Sequence, residues 1–180
     1  MGLRVWSHLG EHLMPSLTEQ RNMKDQFFAI DPHSPLTPEQ KEGFEHLAYF
    51  DEDQALRLEI DIEPFEEQVQ LQMQTSTGDV QTYTRYGRFS FDVDGEQAEL
   101  TVYASPHGFF LPFVDSQAGV DTYGAGRYLD PPKLPNGNFL IDFNDAYNPY
   151  CAYNELWSCP IPPAENRLTV AVKAGEKNFK

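Results

Sequence analysis

Cysteine is nearly absent from this chain: 180 residues hold two, Cys151 and Cys159, and no Asn-x-Ser/Thr site occurs. That count excludes a disulfide-dense scaffold and points to a reducing, cytoplasmic setting. Basic residues are also scarce, thirteen Lys and Arg against twenty-eight Asp and Glu, for a formal net charge of −15. A surface this acidic repels phosphate backbones and anionic headgroups, so neither nucleic acid nor a membrane is expected as a partner. The acidic residues are spread along the chain, which reads either as an ordinary solvated surface or as the surface of a protein from a high-salt host. Long hydrophobic runs are missing, none approaching the roughly 20 residues of a membrane span. The opening stretch GLRVWSHLGEHLMPSL has its apolar residues interrupted by His, Glu and Gly, so no signal peptide or anchor is expected. Internal repeats and low-complexity linkers are lacking as well. One domain over residues 1–180 is the economical reading, large enough to bury roughly 70% of the surface that the unfolded chain exposes.

What is present divides into a helical part, residues 1–50, and a β part, residues 54–177. Leu3, Trp6, Leu9 and Leu13 recur at helical spacing until Pro15. Ser16 with Glu19 then forms a capping box for a helix that should turn Met23, Phe27 and Ile30 inward. Two prolines in DPHSPL impose an extended connector, and Thr37-Pro38-Glu39-Gln40 is a second capping box. The helix it opens is expected near residues 38–47, with Phe44 and Leu47 inward.

From Gln54 the hydrophobic period falls to two. Leu56, Leu58, Ile60 and Ile62 alternate with polar residues, as do Val69, Leu71 and Met73, then Phe89, Phe91 and Val93, then Ala98, Leu100 and Val102. Asp94-Gly95 between two of these runs is a strong hairpin signal. Residues 109–114, 139–143 and 168–172 read as further strands. The predicted fold is α+β, mainly β: a barrel-like or strongly curved antiparallel sheet of about seven to nine short strands, with two or three N-terminal helices over an open edge or end.

Residues 122–166 stand apart, dense in Asn, Tyr, Cys and Pro. Gly124 and Gly126 can aim Arg127 into a concavity, either to capture an anion or to pin a loop against a carboxylate such as Asp142. This is no phosphate-binding loop, because the Gly-Lys-Ser/Thr ending is missing. In IDFNDAYNPYCAY, Asn144 and Asn148 could close turns through backbone amides, while Tyr147 and Tyr153 suit a pocket of a few aimed polar groups on aromatic walls.

TYGAGRYL, DFNDAYNPYCAY, CPIPPAEN and the closing AGEK together resemble the family of bacterial and archaeal proteins known as domain of unknown function 1684. The resemblance extends upstream through Lys24-Asp25-x-Phe27-Phe28, Ser34-Pro35-Leu36 and LAYF at residues 47–50, so it covers about residues 24–177. It implies no activity. The positions matching the motif are Arg127, Asp142, Asn144, Tyr147, Asn148, Cys151, Tyr153, Cys159, Glu165 and Asn166. Ala125 and Tyr150 stand where the pattern carries Gly and Pro, which bears on turn detail.

Cys151 and Cys159 enclose seven residues, a spacing of no standard zinc site, and a tetrahedral centre would need two more ligands. No cofactor is expected, and no metal unless His8, His12, His33, His46 or His107 folds in beside the thiols. A disulfide fastening the Pro-rich segment and a pair of reduced thiols both remain open. Asp142 and Glu165 are the best carboxylate pair for acid/base work, although Glu165-Asn166 could equally anchor the last strand. Asp115 is a candidate wall residue or a strand terminus capped by its own side chain. Lys173 to Lys177 reads as a charged edge-strand end.

Three roles compete. The favoured one is a ligand-binding module whose site uses Tyr123, Arg127, Asp142, Asn144, Tyr147, Asn148, Tyr153 and Asn166 for a small, anionic or neutral molecule. The second is a hydrolase with Asp142 or Glu165 as base and Arg127 as electrostatic stabiliser. The third is a protein-contact face of Tyr147, Tyr150, Tyr153 and Trp157, through which homo-oligomers could form.

Overall fold

A computed structural model describes residues 15–179. The chain forms two compact units, residues 1–46 and residues 47–180. The His8 and His12 side chains and the Leu3 to Leu13 pattern lie outside the described residues.

In the first unit, helix α1 (Leu17–Ile30) begins at the expected capping box: the Ser16 hydroxyl accepts from the Glu19 amide, and Glu19 accepts from the Ser16 amide. The face expected to be buried is not the one that is. Met23 and Ile30 are exposed, whereas Phe28 is buried and lies 6.0 Å from Phe27 and 6.2 Å from Phe44, ring centre to ring centre. The second capping box opens α2 (Pro38–Glu42), which stops at Gly43 and so is shorter than expected. Beyond it Phe44 is half-buried and Leu47 buried, both off the helix.

The second unit holds β1 (Arg57–Ile60), β2 (Gln70–Gln74), β3 (Val80–Val93), β4 (Glu96–Ser105), β5 (Gly108–Phe113), β6 (Arg127–Leu129) and β7 (Phe139–Asp142). Strands β2 to β6 form an antiparallel five-stranded meander in chain order, while β1 pairs with β7 in a separate ribbon. The barrel-like expectation is corrected here: β1 and β7 pair with each other rather than bridging β2 to β6, so the sheet stays open. The mainly β, antiparallel α+β character is as read.

Three further expectations change. Residues 168–172 are not a strand but an irregular connection, entered through a parallel bridge between Arg167 and Val114 and held by Ser116 N donating to Val170 O. The ladder of β3 starts nine residues before Phe89, at Val80. Strand β6 lies inside residues 122–166, ahead of the strand expected at 139–143; its three residues are all buried.

The meander buries both faces. One packs Phe89, Phe91, Leu100, Val102, Leu111, Phe113 and Leu129 with Phe139, Ile141 and Phe143 in the main core. The other carries Met73, Tyr103, Phe110 and Tyr128, covered by Tyr147, Tyr150, Cys151 and Cys159. Strict alternation would put Tyr83, Arg85 and Phe89 on one face. A β-bulge at Tyr86-Gly87, opposite Val102, shifts the register and sends Tyr83 and Arg85 to the second face and Phe89 to the core. Gly87 is required there, since a Cβ would come within 2.4 Å of the Glu63 carbonyl oxygen.

Pro112 interrupts the β4–β5 ladder, as it has no N–H to give Thr101. Asn166 fills the gap. Its carboxamide oxygen accepts from the Thr101 amide at 2.9 Å, and its Nδ2 donates to the Thr101 carbonyl at 2.8 Å and the Pro112 carbonyl at 2.7 Å. The backbone continues this splice, Val114 N donating to Asn166 O and Leu168 N to Val114 O.

Candidate functional site

Arg127 leaves β6 on the core side and is 1% exposed. Its Nη1 donates to the carbonyls of Ala174 and Glu176, and its Nη2 donates to Val172 O at 2.7 Å and to Asp115 Oδ2 at 3.3 Å. The carboxylate partner is therefore Asp115, not Asp142. Asp115 also accepts from the Thr122 hydroxyl and the Val172 amide, at 2.7 and 2.9 Å. Burial pulls the guanidinium down to about 10, with the Asp115 and Glu176 carboxylates acting against it. It stays charged at neutral pH and ties residues 172–176 to the sheet.

Glu176 completes the same cluster. It is 2% exposed rather than part of a solvated edge. Its Oε2 accepts from the Asn148 amide at 2.8 Å and the Tyr153 hydroxyl at 2.6 Å. Asn148 Nδ2 donates to Lys177 O at 2.8 Å, while its Oδ1 is buried with no hydrogen-bond partner among the described residues. Burial, then the Glu176 charge, pushes the Tyr153 phenol far up, so Tyr153 is an internal group and not part of an exposed aromatic face.

Asn144 exchanges two bonds with the Asp53 backbone, at 2.8 and 2.9 Å, as a strand neighbour would. Asp142 caps the turn of residues 143–145 through Oδ1 and pairs its Oδ2 with Arg57 Nε at 3.1 Å. Glu165 sits on the other sheet, gripped by Arg85 at 2.9 and 2.6 Å and by the Tyr103 hydroxyl. Partial burial raises the Glu165 pKa, but these two donors outweigh it and hold the group below the ordinary glutamate value. Asp142 and Glu165 thus share no partner.

The concavity lies beside these residues, on the second face of the meander. An open cleft of about 570 Å³ is lined by Tyr83, Phe109, Phe110, Tyr128 and Tyr147, with Pro131, Pro132 and Pro160, and by the polar groups of Ser105, His107, Asp130 and Lys133. Its aromatic wall is continuous: Tyr83 stacks on Phe110 at 5.1 Å, Phe110 meets Tyr128 edge-on at 4.8 Å, and Tyr128 meets Tyr147 edge-on at 5.8 Å. The Tyr147 hydroxyl donates to Asp130 Oδ2 at 2.6 Å, and the Tyr128 hydroxyl to the Pro160 carbonyl. Lys133 Nζ donates to the Tyr86 hydroxyl at 3.1 Å. Burial, followed by the Asp130 charge, raises the Tyr83 and Tyr147 phenols, so both remain protonated donors across the physiological range.

Of the residues expected to bind a ligand, Tyr147 lines this cleft. Arg127, Asn144, Asn148, Tyr153 and Asn166 are buried in bonds that hold the fold, and Tyr123 faces Cys151 at 3.9 Å. Asp130 and Lys133 lie within the stretch singled out from the sequence yet carried no motif. Tyr83, His107 and Phe110 belong to the hairpins outside it. Among the described residues, no group of three His, Cys, Asp or Glu side chains is placed to hold a metal ion, and no helix is long and apolar enough to cross a membrane.

The sequence pattern described as "Protein of unknown function (DUF1684)" matches residues 42–177. The chain belongs to the DUF1684 family. The upstream likeness at Lys24 to Leu36 falls outside the matched residues. Among solved structures, the solution NMR structure of the uncharacterized protein from gene locus rrnAC0354 of Haloarcula marismortui is similar to this chain. The two are 37% identical, with a TM-score of 0.66 over 89% of this chain and 91% of the other. No curated protein matches.

Proposed function

We propose that this DUF1684 chain is a non-catalytic binding module whose second-face cleft receives a small ligand with a flat apolar body and polar ends. The observation that carries this is the unbroken ring wall from Tyr83 through Phe110 and Tyr128 to Tyr147, opening onto Asp130, Lys133 and His107. A volume near 570 Å³ is within the roughly 300–1,000 Å³ of small-molecule sites, and rings with a few aimed polar groups are their usual lining. Ring faces supply dispersion and orientation, while Asp130 and Lys133 offer charges of opposite sign. An anion held by Arg127 draws no support, since both of its terminal nitrogens are committed to the fold. The hydrolytic reading is not favoured either, because Asp142 and Glu165 are held by different arginines and neither lines the cleft.

Native mass spectrometry of the freshly purified protein, followed by backbone-amide NMR titration with a library of small aromatic and heterocyclic compounds, tests the proposal. Binders are expected to shift the signals of residues 105–110 and 128–133 and to bind about tenfold more weakly to Asp130→Asn, the loss of a charged hydrogen-bonding partner. A library that leaves those signals unmoved, or binders that act equally on Asp130→Asn and the parent, would overturn the reading.

A further inference from the structure

Cys151 and Cys159, which the cleft does not use, face each other in a built setting. Both are free thiols, Cys151 half-buried and Cys159 buried. The Cys151 amide donates to Cys159 Sγ at 3.3 Å, which seats the Cys159 sulfur against Cys151. Each side is fixed to a different support. Cys151 is the middle residue of the turn of residues 150–152 and receives the Tyr123 hydroxyl at 3.9 Å. Cys159 is clamped to the β2–β3 turn: its amide donates to Ser76 Oγ at 3.1 Å, and its carbonyl accepts from the Ser76 amide at 2.9 Å. The more accessible sulfur thus receives the Tyr123 hydroxyl, while the other stays buried beside it.

We infer that Cys151 and Cys159 are a redox-active dithiol, in which Cys151 attacks a small disulfide and Cys159 resolves the product. Donors around a sulfur favour its thiolate, the form that reacts. The Cys159 thiol, opposed by partial burial and helped by Tyr123 and Ser76, brings Cys151 down to about 6, whereas contact with Cys151 and burial push Cys159 far up. In the first step the Cys151 thiolate forms a bond to one sulfur of a low-molecular-weight disulfide, and the second sulfur leaves as a thiolate. In the next, Cys159 gives up its proton to solvent and attacks the Cys151 sulfur, expelling the remaining small thiolate. The protein loses two protons and two electrons; the small disulfide gains both and becomes two thiols. This activity is independent of the cleft's ligand.

The test treats the reduced full chain with oxidised glutathione and follows intact mass. The parent should lose two hydrogens without accumulating an adduct, Cys159→Ser should stop at one glutathione adduct on Cys151, and Cys151→Ser should stay unmodified. Iodoacetamide on the unmutated protein gives a readout that needs no variant. Labelling at neutral pH should favour Cys151 over Cys159 by about tenfold or more, and its rate should rise through about pH 6 rather than near the ordinary thiol value. A stable adduct on the parent, a Cys151→Ser protein that reacts as fast as the parent, or equal labelling of the two thiols would each overturn the proposal.

Discussion

The two faces of the five-stranded meander are built from the same strands yet finished in opposite ways. The core face meets the β1–β7 ribbon and closes over Leu100, Leu111, Phe113, Phe139 and Phe143, with Arg127 and Asp115 sealed at its margin. The second face meets a short coil, residues 147–160, which is rich in Tyr, Pro and Cys and too small to cover it. Where that cover ends, the ring wall is left open as the cleft. An apolar face closed by regular strands gives stability, whereas a tyrosine face closed by irregular chain leaves a concavity walled by rings whose hydroxyls are bonded to Gln81, Asp130 and Pro160.

That contrast can be broken at graded cost. Arg127→Met should be the most damaging change, on the order of 3–5 kcal/mol in urea unfolding, because it leaves the Asp115 carboxylate and the carbonyls of residues 172–176 buried without their donor. A loss below about 1 kcal/mol would mean that water replaces the guanidinium, and the core face would not be the sealed one. Leu100→Ala, fully buried in the same core, should follow at about 2–5 kcal/mol. Asn166→Ala comes next, at roughly 1–3 kcal/mol, since Thr101 and Pro112 lose a splice that no ladder bond can replace. Hydrogen exchange should then show the Val102 and Leu111 amides opening early while those of Phe89 and Phe91 stay protected.

On the second face the effects shrink. Glu165→Gln should cost below about 1 kcal/mol, because Arg85 and Glu165 keep contact with solvent. Its pH dependence has a definite sign: the folded-state value lies below the unfolded one, so the contribution is complete above the ordinary glutamate value and disappears as pH falls through the folded value. Parent and variant unfolding curves should therefore converge in acid; a gap that widens there would contradict the assignment. Tyr147→Phe is the mildest, about 0.5 kcal/mol, the low end for a hydrogen bond because its partner Asp130 is exposed. Its larger consequence should be weaker ligand binding, which separates the two faces by readout as well as by size.

Local chemistry was readable from the chain. Ser16-Glu19 and Thr37-Gln40 predicted their helix starts because a capping box is completed within four residues. Asp94-Gly95 predicted the β3–β4 hairpin, with both residues at positive φ. Alternation marked the meander's hydrophobic strands for the same reason. The misses share a different cause. Met23 and Ile30 follow helical spacing but stay exposed, because spacing names a stripe and not which stripe finds a partner. Strand β6 escaped because Arg127 and Tyr128 look polar, and only the carbonyls of a distant tail make burying Arg127 affordable. Tyr83 and Arg85 reach the second face through a bulge that no local pattern announces.

The sequence by itself determined the acidic surface, the helix starts, the hairpins, the family, and the segment from Thr122 onward as the unusual part of the chain. Each depends on composition or on neighbours a few positions apart. Tertiary structure alone decided that Asp115 and not Asp142 holds Arg127, that Asn166 stands in for a ladder bond, and that the concavity belongs to Tyr83, Phe110, Tyr128 and Asp130 rather than to the buried asparagines. Those outcomes rest on pairings beyond local range, where burial and partner supply, not spacing, choose which polar groups are sealed inside the fold and which line the open cleft.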